Sequence, residues 1–118
     1  MTLLEKLNQE IVTTERDLGA WIENLRANPV HGFTWAGSAV DDGVRLVLLK
    51  RAASFIENGQ PVEVVTTELL ATIWHRAQSP SASSSPYANL VEQAKVTQAA
   101  WVLRTFFGVD GLQGVERR

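Results

Sequence analysis

The sequence predicts an all-α fold, a small bundle of about four helices, and three observations carry that prediction. Apolar residues recur at helical spacing over four stretches, 2–28, 41–58, 61–77 and 86–107. Pro29, Gly59, Pro61, Pro86 and Gly108 punctuate the borders of those stretches. A chain of 118 residues, 45% hydrophobic and 20% charged, can bury one core without a metal or a disulfide and leaves no room for a second domain. A single helical domain is expected over 1–108, with 109–118 as a flexible tail broken by Gly111 and Gly114.

The first helix carries Leu4, Leu7, Ile11, Leu18, Trp21 and Leu25 at alternating spacings of three and four, with Thr14 filling the missing place. That is a heptad seam, and a polar residue at one seam position can set register. Thr2 followed by Glu5 reads as a capping box, and Asn28-Pro29 closes the helix because a residue before proline is pushed out of the helical region.

Residues 29–40 hold Pro29, Gly32 and Gly37 together with Phe33 and Trp35, and read as an irregular loop pinned to the core by its aromatics. Asp41 or Asp42 then caps a second helix, 41–58. Its apolar residues at 44, 47, 48, 52, 55 and 56, with 46, 49 and 53 on another side, make a stripe wide enough for a central helix, and Gly59 suits the left-handed residue after it. Pro61 and Glu63 suit the start of a third helix, 61–77. The β-branched run from Val62 to Thr67 leaves a short strand near 62–67 as the minor alternative. The serine-rich stretch 78–86 reads as a loop, with Ser85 capping the fourth helix and Pro86 in its first turn. Val109 and Leu112 are the residues that could dock the tail.

Chemistry is scarce. The chain has no cysteine, so thiol catalysis, thiolate zinc sites and disulfides are out. Its two histidines, His31 and His75, lack a partner at metal-ligand spacing, and no metal or cofactor is expected. Asp41 and Asp42 read as cap and turn rather than a catalytic pair, and Glu68 with Glu92 is the pairing that would have to converge for acid-base work. No glycine loop for phosphate and no nucleophile elbow is present, so enzymatic activity is not expected. Glu5 and Glu10 break the apolar run a secretory signal needs, no stretch reaches membrane-spanning length, and a cytoplasmic location is expected.

What remains is hydrophobic recognition. The sequence is read as a small protein-interaction or assembly module, such as an adaptor, an inhibitor or a small subunit of a larger bacterial or phage-type complex. The expected partner is another protein, itself included as a homo-oligomer. The chosen interface is Leu4, Leu7, Ile11, Leu18 and Trp21 on the seam, with Phe33 and Trp35 on the loop. The alternative is a nucleic-acid-associated helical subunit using Arg45, Lys50, Arg51, Lys95, Arg104 and the Arg117-Arg118 tail, although a net charge of −2 supplies no basic face. The second alternative is a small-molecule sensor with a pocket among Trp35, Trp74 and Trp101. Four tryptophans in so short a chain otherwise suggest an aromatic core around the second helix.

Overall fold

A computed structural model describes residues 1–28, 32–78 and 86–111, with backbone alone at 32–36, 76–78 and 86–88. It contains four helices and, among the described residues, no strand: α1 (Leu3–Ala27), α2 (Gly32–Glu57), α3 (Val62–Gln78) and α4 (Pro86–Phe107). α1 packs along α2, and α2 and α3 each pack on α4, while α2 and α3 have far less contact with each other. The molecule is 22 Å thick, about two helix diameters, so few helices are surrounded on all sides.

α1 starts as its sequence dictates. Thr2 Oγ1 accepts from the Glu5 N–H at 3.1 Å, and Asn28 ends the helix with its N–H on the Asn24 carbonyl. α2 ends in a Schellman turn: the Gly59 N–H returns to the Ile56 carbonyl and the Gln60 N–H to the Phe55 carbonyl. Gly59 sits at φ +82, and a Cβ there would meet nothing, so the turn needs glycine for its backbone rather than for space.

Three expectations are corrected. The segment read as the loop 29–40 is helical from Gly32, which places the start of α2 nine residues before Asp41. Asp41 and Asp42 therefore sit inside the helix and cap nothing. Glycines at 37 and 43 each cost roughly 1 kcal/mol in a helix interior, but an antiparallel partner as long as α1 offers a packing surface that outweighs local propensity. The strand alternative at 62–67 also fails. Val62 to Thr67 are helical, and Thr66 satisfies its hydroxyl on the Val62 carbonyl one turn back.

The third correction concerns the core. Leu7, Leu49, Val65, Leu69, Val102 and Leu103 cluster with Ala52, Ala53 and Ala99, small residues that let helices approach closely. No described tryptophan is fully buried: Trp21 and Trp101 are half-buried and Trp74 is exposed. The central place is shared. α4 buries Ala94, Val96, Gln98, Ala99, Ala100, Val102 and Leu103, on more of its circumference than α2 does. Beyond α4, Gly108 turns left-handed at φ +66 and Val109 packs back on the core. Residues 29–31, the serine loop 79–85 with Ser85, and 112–118 with Leu112 and the two terminal arginines lie outside the described residues.

Candidate functional site: an apolar groove and a polar concavity

α2 and α3 leave the turn at 58–61 close together, with Arg51 of α2 ion-paired to Glu68 of α3. Further from the turn they diverge, and α4 floors the gap. The result is a groove of about 1000 Å³. Its α2 wall is the row Val40, Val44, Val47 and Leu48, spaced by one helical turn and ending at Arg51. The facing α3 wall is Glu68, Ala71, Thr72 and His75, and α4 adds Val91, Glu92 and Lys95. Val47, midway along the apolar wall, is 63% exposed.

The charges of the groove are matched within the chain, Arg51 with Glu68 and Lys95 with Glu92 at 3.0 Å. Glu68 and Glu92, the carboxylates whose convergence the sequence left open, do line one groove, each against its own cation. No group of His, Asp and Glu among the described residues could hold a metal ion, and His31 lies outside those residues.

A second, polar concavity of about 410 Å³ lies between α1, α2 and α4, lined by Asp17, Trp21, Asp41, Asp42, Arg45 and Gln98 among others. The Trp21 Nε1–H donates to Asp42 Oδ2 at 2.8 Å and fastens the far half of α1 to α2. Arg45 is the hub. Its Nε–H donates to Gln98 Oε1 at 2.6 Å, its guanidinium lies 3.9 Å from the Trp101 ring centroid, and Glu10 approaches at 3.9 Å. One α2 residue thereby ties α1 to α4. Thr14, the polar seam residue, is buried nearby in sequence on α1 with its hydroxyl unpartnered.

Burial pushes the Asp41 carboxyl above its ordinary range; the neighbouring Asp42 carboxylate adds to the rise and Arg45 opposes it. An acid whose folded pKa is raised binds its proton more tightly in the native state, so stability falls as pH climbs through the carboxylate range and the loss is complete above the folded pKa. Asp41→Asn is therefore expected to be more stable than the parent at neutral pH, with the gap closing as pH drops below that range. Urea midpoints along a pH series measure it, and a gap that ignores pH would contradict this account.

The residues selected from sequence are placed as follows. Leu7 is buried in the chain's own core, Leu4 and Ile11 pack against that core, Leu18 and Trp21 are half-buried, and Leu25 is 49% exposed at the end of the seam. The seam thus faces α2. Phe33 and Trp35 belong to the first turn of α2 by backbone, and their side chains lie outside the description. The basic set is divided: Arg45 lines the polar concavity, Arg51 and Lys95 line the groove, and Lys50 is exposed. Arg104 is half-buried on α4. Of the tryptophans read as a pocket, Trp101 lies under Arg45 and against Phe106, Trp74 stands out from α3, and the Trp35 side chain lies outside the description.

The groove wall escaped the sequence reading, though a signal existed. The α2 stripe is wider than its neighbours can cover, and such width fits an open face as well as a central helix. Comparison with known protein families, characterised proteins and solved structures finds no match for this chain.

Proposed function

We propose that this chain is a small protein-interaction or assembly module that receives an apolar surface of another polypeptide in the groove between α2, α3 and α4. The observation that carries the reading is Val47, which stands 63% exposed in the middle of an apolar helix face. A scattered surface valine needs no explanation, but one flanked by Val40, Val44 and Leu48 in a concave wall leaves an apolar patch facing water. Amphipathic helices bind grooves of this kind through side chains at helical spacing. The module works without catalysis and in the cytoplasm. Among the described residues, no helix is long and apolar enough to cross a membrane.

The test is a photo-activatable residue at position 47, with the same residue at the exposed Glu15 of α1 as control, in cells that make the protein natively. A polypeptide adduct from position 47 and none from 15 is expected. No adduct at 47, or equal labelling at both, would remove the reading.

A further inference from the structure

We propose that the polar concavity between α1, α2 and α4 binds a small organic ammonium ion that carries a hydrogen-bond acceptor close to its charge. This site is separate from the groove and stands or falls without it.

The charge of the concavity is unmatched. Asp17 of α1 and Asp41 and Asp42 of α2 line it together with a single base, Arg45. Arg45 is shared: its Nε–H goes to Gln98, its guanidinium covers the Trp101 ring, and Glu10 stands 3.9 Å from it. Asp42 accepts from the Trp21 indole, a neutral donor, and Asp17 has Arg16 at 4.0 Å, on an exposed side chain. Asp41, half-buried, has neither a hydrogen bond nor an ion pair among the described residues. Burial makes it hold its proton more tightly than usual, the Asp42 carboxylate adds to that, and Arg45 opposes it. A partly buried carboxylate without a partner is costly, and a cation that enters beside it lowers its energy.

α4 adds an unpartnered donor. Gln98 is 4% exposed and reaches the same concavity. A guanidinium only donates, so the Gln98 atom that meets Arg45 at 2.6 Å is its oxygen, and the other is the amide nitrogen. That nitrogen has no partner among the described residues, yet it is not sealed in and keeps contact with the concavity. Its two N–H groups are matched by an acceptor on the same ligand that the carboxylates hold by its charge. A bare metal ion offers no acceptor, and no group of acids among the described residues could hold one. At about 410 Å³ the concavity has the size for a small organic molecule, and Trp21 in its wall gives an ammonium an aromatic neighbour.

The test is a titration of the purified full chain with glycinamide, which joins an ammonium to a carbonyl, at constant ionic strength. It is followed by NMR at the Trp21 indole N–H, which donates to Asp42 and so reports on the concavity. A saturable shift is expected with glycinamide. Acetamide, the acceptor without the charge, is expected to give none, and methylammonium, the charge without the acceptor, to bind at least about threefold more weakly. Asp41→Asn removes the unpartnered charge together with its burial cost, so the variant is expected to fold and to bind glycinamide at least about tenfold more weakly. Asp17→Asn, at a side chain 54% exposed, should weaken binding about threefold. The proposal is overturned by the absence of a saturable shift with glycinamide, by an equal response to acetamide or methylammonium, or by undiminished affinity in Asp41→Asn.

Discussion

Leu7→Glu is expected to abolish folding at room temperature, while Leu18→Glu, on the same seam of α1, is expected to fold. Leu7 is 0% exposed at the centre of the cluster formed with Leu49 and Leu103. Removing a buried leucine costs about 2–5 kcal/mol, and an uncompensated carboxylate in its place adds about 3–5 kcal/mol. Their sum is comparable to the whole stability of a small domain, about 5–15 kcal/mol. Leu18 is half-buried, so a glutamate there can turn to water at a cost of no more than about 2 kcal/mol. Far-UV circular dichroism and urea melts separate the two variants. A folded Leu7→Glu protein would mean that the seam does not face α2.

Arg45→Met is the second large effect. The substitution keeps the stem but strands Gln98, which is 4% exposed and whose Oε1 accepts from Arg45. An unsatisfied buried acceptor costs about 1–3 kcal/mol, and loss of the guanidinium from the Trp101 face about 0.5–2 kcal/mol, so the variant is expected to lose about 2–4 kcal/mol. Adding Gln98→Leu should return most of that loss, because removing both partners of a buried polar contact leaves nothing unpaired. A double-mutant cycle on urea midpoints reads the coupling directly. Additive losses would show that Arg45 and Gln98 do not act as a unit.

Much of the fold was legible because local chemistry and periodicity agreed. Thr2, Gly59 and Pro86 stand at or beside the ends of their helices, and the heptad phase of α1 marks the face that carries Leu7 as its apolar one. The start of α2 was not legible. Gly32 and Gly37 look like loop residues at short range, and only a long antiparallel neighbour, invisible to a local reading, makes a helix of them. That error also misassigned Asp41 and Asp42, whose positions on α2 set them beside Trp21 and Arg45.

The candidate site was legible in part. The apolar row Val44, Val47 and Leu48 was plain in the sequence, but periodicity shows that a face is apolar without saying whether a neighbour covers it. Here the neighbour is missing because α3 leans on α4 instead of α2. Sequence reasoning likewise chose the α1 seam as the interface, since a heptad pattern looks the same whether its partner lies in the same chain or another. Arg45 was grouped with Lys50 and Arg51 as a basic edge, and its contacts with Gln98 and Trp101 depend on α4, more than fifty residues away in the chain.

The central claim is that the groove, rather than the α1 seam, is the surface given to another chain. Photo-cross-linking from position 47 in the groove and from position 18 on the seam, in cells that make the protein natively, tests it most directly. The account predicts a polypeptide adduct from position 47 and none from position 18. An adduct from position 18 with none from position 47 would contradict it.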